Sequence, residues 1–472
     1  PASGSTQNFT NPVVYRVTAE NGTSFKDYTV SVQTFAAWAH SGSLFIDTTA
    51  NGANVSGSVT NFPLLLRFNS SNFNFAQAQS DGRDIRFTTA AGASLPYQIE
   101  QWDVVNGKAA VWVRIPTIAG NSTQEIVMYW GKSGVAPGSS GSSVFNSSNG
   151  YASVHHMSDT LVDTVGATTP ANNNTTASNG LIGRARTFAA GQGIQCGTSI
   201  SGLPTGNGPF STGAWIRPST SGTVVLGWGL EQAQGKVIMS LASPPRINME
   251  CYFGGGDVTG TAAIPTSEWS YVVHTYQSGS AKLYVNGALD GTNTGGSMNM
   301  PASSRFDIGG FVPTHGYNFA GDMDEVRISK VVRSADWVKL EYENQKPLQT
   351  LVGGIVPPGS DFSVSPTSVT MNEAATTTLT AQAGGARKVY WIYKTNGQDT
   401  LLATDQLSYQ YTAPRVTGND SATIQFKAVF AGGVQTINVP LTVLDTVPDP
   451  VFTLVPSTTS WDGRTTMTVT AP

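Results

Sequence analysis

Three acidic side chains lie close together in the run Gly321–Ile328, and carboxylates at this spacing could bind a cation or transfer protons. They are Asp322, Asp324 and Glu325. If the run is a β-strand, Asp324 shares a face with Val326 and Ile328, and Met323 falls on the other face. This pattern predicts either a β-bulge or an inward carboxylate, which needs a cation or a hydrogen-bond network as its partner. A final sheet strand with solvated acids is the alternative.

Other residues that could do chemistry do not form a catalytic motif. The sequence has no GxSxG, HExxH or P-loop pattern. His155 and His156 are adjacent, so on a strand they point to opposite faces and do not share a metal. The only cysteines, Cys196 and Cys251, lie outside any CxxC motif, which argues against zinc. A disulfide between them and two buried thiols both remain open.

The composition predicts an all-β protein and excludes several functions. Charged residues make up only 12 % of the 472 residues, and the 51 glycines and 25 prolines are typical of many short strands and turns. A net charge of −4, with scattered Lys and Arg, gives no basic surface for nucleic acid or for an anionic membrane. No run approaches the length of a membrane span. The length suggests about three domains.

Both ends of the chain predict incomplete domains. Residues 1–34 predict two strands around an Asn21-Gly22 turn and resemble the C-terminal half of an immunoglobulin- or cadherin-like repeat. Residues 446–472 predict the first strands of a further immunoglobulin-like repeat, because 452–460 echoes 362–370 about 90 residues earlier. The chain opens without a signal peptide, so we expect that it starts after processing or comes from a longer protein. Another chain could complete each end, giving a homo-oligomer or a fibre.

Residues 35–140 predict a two-layer β-sandwich. Strands are expected near 44–47, 62–68, 85–88, 97–102, 109–115 and 125–130, with large apolar residues alternating along them. The blocks NFPLLLRF, DGRDIRF, LPYQIEQWD, AVWVRIP and IVMYWG resemble a family of unknown function that occurs beside laminin-G-like domains in large bacterial surface proteins. That family implies no chemistry. A Gly/Ser-rich spacer at 136–143 follows.

Residues 145–350 resemble the laminin-G/pentraxin-like concanavalin-type lectin fold. The resemblance is carried by FSTGAWIRP, SEWSYVVHTY, AKLYVNGALDG, FDIGGF and FAGDMDEVRIS, followed by a short helix with Ser334 as its cap. Residues 355–445 predict an immunoglobulin-like sandwich with Trp391 in its core. The predicted fold class is therefore all-β, with tandem sandwiches of jelly-roll/concanavalin-like and immunoglobulin-like type.

The concanavalin-type resemblance implies candidate sites. Glucanases of this fold carry their carboxylates as Glu-x-Asp-x-(x)-Glu on one strand, and that motif is absent, so we predict that the protein is not an enzyme. Relatives often hold a structural calcium ion, which the resemblance places at Asp163 and Asp324, with Asp159 and Asp322 as weaker choices. In the loop 312–319, His315, Tyr317 and Asn318 could bind a sugar, or the loop could only pack locally.

Two functions follow from these expectations. The first is a non-catalytic segment of a large extracellular or bacterial cell-surface protein, acting in adhesion or as a structural subunit of a fibre or coat, with a lectin-like module. The second is a carbohydrate-binding appendage of a secreted polysaccharide-degrading enzyme. The expected partners are a glycan or neighbouring subunits of the same protein.

Overall fold

The computed structural model describes residues 13–30, 35–252, 256–395, 397–446, 456–459 and 465–467. It begins with an antiparallel hairpin of β1 (Val13–Thr18) and β2 (Phe25–Val30). The Asn21 side chain accepts hydrogen bonds from the N–H groups of Thr23 and Ser24, which fixes the turn expected from Asn21-Gly22. Both strands predicted for residues 1–34 are therefore present, and residues 1–12 and 31–34 lie outside the described residues.

The first sandwich packs a four-stranded sheet on a three-stranded sheet. Its strands are β3 (His40–Asp47), β4 (Val59–Asn69), β5 (Arg86–Thr89), β6 (Ser94–Leu95), β7 (Tyr97–Asp103), β8 (Lys108–Ile118) and β9 (Thr123–Trp130). The sheet orders are β3-β9-β5-β6 and β4-β8-β7. Each strand expected between residues 44 and 130 is present, because alternating large apolar residues mark the faces that meet in the core.

The second sandwich is larger and follows a one-turn helix, α1 (Gly141–Val144). One layer is an eight-stranded sheet, made of β10 (Tyr151–His155), β12 (Thr176–Asn179), β13 (Arg184–Phe188), β15 (Phe210–Pro218), β20 (Ser270–Gln277), β21 (Ser280–Val285), β22 (Ala288–Thr294) and β26 (Gly321–Ser329). The other is a seven-stranded sheet, made of β11 (Ala171–Asn173), β14 (Gly193–Ser201), β16 (Thr223–Gly229), β17 (Lys236–Leu241), β18 (Ile247–Glu250), β19 (Val258–Thr259) and β23 (Ser303–Ile308).

The third sandwich also has two sheets. They contain β27 (Phe362–Ser365), β29 (Thr376–Ala383) and β32 (Ser408–Thr412) on one side, and β28 (Val369–Asn372), β34 (Gly433–Leu444), β33 (Asp420–Phe430), β30 (Lys388–Thr395) and β31 (Gln398–Thr404) on the other. Trp391 is fully buried in its core, as predicted. The final hairpin, β35 (Pro456–Thr459) with β36 (Thr465–Met467), covers part of the predicted further repeat, and the rest of that prediction lies outside the described residues. The all-β fold class is confirmed.

Helix α2 (Ala335–Gln345) joins the first and second sandwiches. The Ser334 hydroxyl accepts the N–H of Trp337, so the predicted cap is present. Leu340 is fully buried in a hydrophobic cluster that continues into the first sandwich. The Asn344 amide bonds both the N–H and the C=O of Leu65 on β4, at 2.7 and 3.0 Å. The core of the first sandwich is thus completed by a helix that lies about 200 residues further along the chain.

The Gly/Ser-rich spacer between these two sandwiches has fixed contacts. The Ser140 N–H donates to the carbonyl of Tyr97, and the Ser139 hydroxyl accepts the N–H of Ile99. The segment therefore runs along β7 and holds the two sandwiches close together. Among the described residues, no helix is both long and apolar enough to cross a lipid bilayer.

Strand β26 contains both of the features that its sequence predicts as alternatives. Its ladder with β15 shifts register between Gly213 and Trp215, and Glu325 has a positive φ of 52°. This bulge lets Met323, Val326 and Ile328 all enter the core. The carboxylates of Asp324 and Glu325 are nevertheless fully buried, because helix α2 and the first sandwich cover the opposite face.

The core of the second sandwich also contains groups that could titrate. Cys196 and Cys251 are both buried free thiols and are not bonded to each other. His274 on β20 is fully buried with its ring 5.5 Å from that of Phe210. Burial lowers the pKa of His274 to about 4, opposed by a backbone group of Gly256.

Acid should therefore destabilise the second sandwich through His274. The pKa of His274 is about 4 in the folded state and about 6.5 in the unfolded state. Between these pH values, the unfolded chain binds a proton at His274 that the folded chain does not bind. Stability then falls as pH drops from about 6.5 towards 4, by up to about 1.4 kcal/mol per pH unit for this residue. His274→Leu should flatten the pH dependence of the free energy of unfolding in urea. An unchanged slope would contradict the assignment.

Candidate functional site

A short hairpin lies over the outer face of the seven-stranded sheet. It consists of β24 (Gly310–Phe311) and β25 (Gly316–Tyr317), and Phe311 is buried against Val224 and Ile238. Glycines beneath the hairpin permit this close approach: a Cβ at Gly227 would lie 2.7 Å from the Phe311 ring. The loop in which the sequence predicts ligand contacts is therefore anchored on the sheet.

Two of the three predicted ligand-binding side chains in this loop serve the anchoring. The Asn318 carbonyl oxygen Oδ1 accepts the N–H of Val224 at 2.7 Å. The Tyr317 hydroxyl donates to Asp307 Oδ1 at 3.2 Å, and burial together with the Asp307 charge raises the pKa of Tyr317. His315 is exposed at the turn. Sugar binding by these residues stays a prediction, and His315 is the one whose side chain is open to solvent.

Next to the hairpin, the outer face carries a charged and aromatic group that we call the outer-face patch. Its members are Glu231, Lys236, Glu250, Tyr252, Thr314 and His315. The buried Lys236 ammonium lies 2.9 Å from a carboxylate oxygen of Glu231 and 2.9 Å from one of Glu250. It also lies 4.7 Å from the ring centroid of Tyr252. Burial disfavours the ammonium, but its hydrogen bonds to Glu231 and Glu250 raise the pKa of Lys236 overall.

The hairpin contributes to this patch through Thr314. Its hydroxyl donates to Glu231 Oε2 at 3.2 Å, so the turn that carries His315 is held beside the ion pairs.

Strand alternation explains why Lys236 belongs to the patch: Val237 and Met239 enter the core, so Lys236 faces outward. Sequence reasoning missed these residues, since Glu231 and Glu250 belong to no motif. The only local signal was a lysine at the start of a strongly apolar strand.

The two carboxylates of the patch are bridged by one lysine ammonium. Oxygens of Glu231 and Glu250 that share this ammonium at 2.9 Å lie within about 6 Å of each other, and retaining glycosidases use about 5 to 5.5 Å. The Lys236 ammonium bonds both carboxylates and lies between them, where the scissile bond of a substrate would have to lie. This geometry therefore suits binding better than cleavage.

Asp163, one of the two predicted calcium ligands, is buried and saturated with hydrogen bonds. Oδ1 accepts the N–H groups of Val154 and Val165, both at 3.0 Å. Oδ2 accepts those of Ala167 and Thr168 and the Ser153 hydroxyl. Five donors satisfy both oxygens, so the carboxylate holds the loop 163–168 against β10 without needing a cation.

Asp324, the other predicted calcium ligand, lies elsewhere and shares no hydrogen-bond partner with Asp163 among the described residues. Its Oδ2 accepts the N–H of Ile182 at 2.9 Å, while Oδ1 has no hydrogen-bond partner in the described part of the chain. Burial, and then the charge of Glu325, raise the pKa of Asp324 well above its usual range. Of the weaker choices, Asp159 pairs with Arg184, and Asp322 pairs with Arg217.

Calcium removal tests the metal prediction directly. Because Asp163 already has five donors and the pKa of Asp324 is raised, we expect excess EDTA to leave the melting temperature of the protein unchanged. Differential scanning calorimetry with and without EDTA measures this, and added calcium serves as the control. A melting temperature that falls with EDTA and recovers with calcium would establish a calcium site.

A second group of charges is buried where the first and second sandwiches meet, and we call it the junction cluster. Its members are Glu100 on β7, His156 after β10, Glu325 and Arg327 on β26, and Glu341 on α2. His156 Nδ1 lies 2.6 Å from Glu325 Oε1 and 3.6 Å from Glu100 Oε2. The Arg327 guanidinium contacts Glu325 at 2.6 Å and Glu341 at 2.9 Å.

The junction cluster shifts the pKa values of its members because burial and charge act together. Burial, and then the Glu325 charge, raise the pKa of Glu100 to about 8. Burial opposes protonation of His156, but Glu325 and then Glu100 raise its pKa overall. Glu100, His156 and Glu325 each place a ligand atom within 4.8 Å of the others, which is close enough for a metal ion. Arg327, bound to the same Glu325 carboxylate, already supplies the positive charge that such an ion would add.

Comparison with known families identifies three segments of the chain. Residues 188–339 match the model of the Concanavalin A-like lectin/glucanases superfamily, and residues 81–158 match that of a domain of unknown function (DUF2341). Residues 1–32, for which the sequence predicts half of an immunoglobulin- or cadherin-like repeat, match the model described as SGBP, N-terminal. No curated protein matches the chain.

Several solved structures match parts of the chain at low identity. Domain 4 of AbnA, an extracellular arabinanase from Geobacillus stearothermophilus solved with arabinotriose, is 20 % identical, with 40 % of this chain and 97 % of that chain covered and a TM-score of 0.33. The binding domain of Paraclostridial Mosquitocidal Protein 1 is 11 % identical, covering 60 % and 77 %, with a TM-score of 0.34. Trypanosoma rangeli sialidase is 16 % identical, covering 41 % and 33 %, with a TM-score of 0.32. At these TM-scores the likenesses carry no argument about function.

The matched segments agree with the blocks that carry the sequence resemblances. The DUF2341 match includes DGRDIRF, LPYQIEQWD, AVWVRIP and IVMYWG, and the concanavalin A-like match includes the strands of the second sandwich from β14 to β26. The recognition drawn from those blocks is confirmed. The chain is therefore a multidomain protein in which a concanavalin A-like domain directly follows a domain of unknown function.

Proposed function

We propose that this chain is a non-catalytic, carbohydrate-binding part of an extracellular or cell-surface protein, and that the outer-face patch contacts the glycan. The observation that carries the proposal is the Lys236 ammonium, which holds two carboxylates beside the Tyr252 ring on the outer face of a concanavalin-type sheet. The matches to a lectin/glucanase superfamily and to an SGBP segment, where SGBP denotes surface glycan-binding, support both the ligand class and the location.

The patch offers the two kinds of contact that sugars require. A pyranose ring has a face of C–H groups that packs on an aromatic ring, and Tyr252 is 37 % exposed. Its hydroxyl groups donate to carboxylates, and the Glu231 and Glu250 side chains are each about one-third exposed. Lys236 keeps these oxygens in place, so little side-chain freedom is lost when a ligand binds.

Replacing the aromatic ring of the patch tests this proposal. Tyr252→Ala should weaken binding to the polysaccharide that the wild-type protein retains by about tenfold or more, since stacking on one ring is worth roughly 1 to 2 kcal/mol. Affinity electrophoresis through gels with soluble neutral polysaccharides gives the readout. Tyr28→Ala is the matched control, because Tyr28 is 49 % exposed and also lies near a lysine ammonium.

Two outcomes would contradict the proposal. Tyr252→Ala could bind as tightly as the wild type while circular dichroism shows an unchanged fold, in which case the patch is not the glycan site. The wild type could instead release reducing sugar from the bound polysaccharide, in which case the protein is an enzyme.

The wider role proposed is adhesion or a structural role in a fibre or coat, with neighbouring subunits of the same protein as partners. The hairpin of β1 and β2 supports it, because it presents apolar side chains that are about half exposed: Val14, Val17, Phe25 and Tyr28. A carbohydrate-binding appendage of a secreted enzyme is the alternative. Light scattering separates the two: concentration-dependent assembly without glycan supports the fibre, and a monomer at every concentration supports the appendage.

A further inference from the structure

A cleft of about 1000 Å³ lies between the first and third sandwiches, away from the outer-face patch. One wall is the loop 70–77, which follows β4 in the first sandwich. The connecting segment 354–358 forms the back, and residues 386–389 with Asp405 and Leu407 of the third sandwich form the other wall. The volume lies at the upper end of the range for small-molecule sites, and domain interfaces are a preferred location for them.

The lining of this cleft combines neutral polar groups with aromatic rings. The polar side chains of its first wall carry only hydroxyl or amide groups: Ser41, Ser70, Ser71, Asn72, Asn74 and Gln77. Phe73, Phe75 and Trp130 lie behind them and pack edge to face on one another. Hydroxyl and amide groups around an apolar base are the composition expected for a ligand that presents both hydroxyl and C–H groups.

Asp405 lines the cleft and pairs with Lys388. Its side chain is only 10 % exposed, and its Oδ2 accepts a hydrogen bond from the Lys388 ammonium at 2.6 Å. Burial raises the pKa of Asp405, while Lys388 and then the backbone groups of Gly354 and Val389 oppose that shift. Oδ1 is buried without a hydrogen-bond partner in the described part of the chain. The acidic side chain of the lining is therefore paired within the protein.

The charges around the cleft favour a neutral ligand. Lys388 is compensated by Asp405 and donates a second hydrogen bond to the carbonyl of Val352 at 2.8 Å. Arg387, which also lines the cleft, has its guanidinium 4.2 Å from the ring centroid of Phe45. Both cationic side chains of the described lining therefore contact other side chains of the protein.

We propose that this cleft is a second carbohydrate site, which binds a short neutral oligosaccharide through hydrogen bonds between the sugar hydroxyls and the hydroxyl and amide groups of the loop 70–77. The ligand class rests on the proposed function, whereas the position of the site rests on the cleft alone. Segment 354–358 is neutral and apolar, and Gly354 leaves the back of the cleft open, because a Cβ there would meet only atoms 3.7 and 3.8 Å away. Binding would bridge the first and third sandwiches.

A steric block tests the site without disturbing the buried ion pair. Ala76 is exposed and lines the cleft, so Ala76→Trp should fill it while the fold remains intact. Val105→Trp is the matched control, because Val105 is 95 % exposed on a neighbouring loop and does not line the cleft. The probes are hexasaccharides of glucose, xylose, mannose and arabinose, measured by isothermal titration calorimetry on the full chain. Hydrogen exchange of residues 70–77, measured with and without the probe, shows whether the probe binds in the cleft.

The expected result is that Ala76→Trp loses at least tenfold in affinity for a hexasaccharide that wild type and Val105→Trp bind equally, and that this sugar protects residues 70–77. If Ala76→Trp binds every probe like the wild type and only Tyr252→Ala loses binding, the cleft proposal is overturned and the outer-face proposal stands. If the wild type binds no probe and no polysaccharide, both proposals fail.

Discussion

Arg327→Met is expected to destabilise the joined first and second sandwiches by about 3 to 5 kcal/mol. Arg327 is buried with its guanidinium on Glu325 and Glu341, and it lies 4.7 Å from the ring centroid of Trp112. Methionine keeps much of the apolar volume but leaves the buried Glu325 and Glu341 carboxylates without the guanidinium that contacts both of them. The urea midpoint of unfolding, followed by tryptophan fluorescence, measures the loss.

The pH dependence of this variant distinguishes lost charge pairing from poor packing. In the wild type, burial opposes ionisation of Glu325, but His156 and then Arg327 hold its pKa below the ordinary value. Without Arg327 the folded-state pKa of Glu325 rises, so the variant loses stability above the unfolded-state pKa of about 4.5, and it loses less as pH falls towards that value. We therefore expect the difference in free energy of unfolding between wild type and Arg327→Met to narrow between pH 7 and pH 5. A difference that stays constant would indicate poor packing instead.

An exposed arginine provides the control for Arg327. Arg83 pairs with Asp81 at 2.6 Å, but both side chains are about half exposed. Water screens such a pair, so Arg83→Met should not measurably change the urea midpoint. If Arg327→Met behaves like Arg83→Met, the junction cluster does not stabilise the contact between the sandwiches.

Asp163→Ala is expected to lower the free energy of unfolding of the second sandwich by about 3 kcal/mol or more. The substitution leaves four backbone N–H groups and the Ser153 hydroxyl without their acceptor, and hydrogen bonds to a charged group are worth about 1.5 to 3 kcal/mol each. Water can reach some of the freed donors of the loop 163–168, so the loss is smaller than the sum. The melting temperature and the hydrogen exchange of residues 163–168 measure it.

The neighbouring acid Asp159 is the matched control for Asp163. Its side chain is exposed and pairs with Arg184, so Asp159→Ala should leave the melting temperature unchanged. If Asp163→Ala also has no effect, its five hydrogen bonds do not hold the loop. If its destabilisation disappears in EDTA, Asp163 instead acts through a metal ion.

Local rules predict most of the fold. Alternation of apolar residues predicts the strands of the first sandwich. Asn21-Gly22 predicts the turn between β1 and β2, and Ser334 predicts the start of α2. The mismatch in the pattern of β26 predicts a bulge or a buried carboxylate, and the structure contains both. These features depend on neighbours along the chain, which is why a single sequence is sufficient.

The candidate sites could not be predicted in the same way, because distant residues form them. Glu100 and Glu325 meet only when two sandwiches pack, and Lys236 meets Tyr252 only after β17 pairs with β18. Tyr317 and Asn318 have the right chemistry for a sugar site. In the fold, however, the Tyr317 hydroxyl is hydrogen-bonded to Asp307, and the Asn318 side chain is hydrogen-bonded to the N–H of Val224. The cleft depends on how the third sandwich is placed, a long-range property that periodicity does not encode.

Helix α2 has a mechanical consequence for the two sandwiches that it joins. Because Asn344 fixes β4 at both its N–H and its C=O, a pull on the first sandwich is passed to the second through the helix as well as through the spacer. The two sandwiches should therefore resist force together, as one stiff unit. Changes in the length of the chain under force would then arise at other connections, such as the segment 354–358.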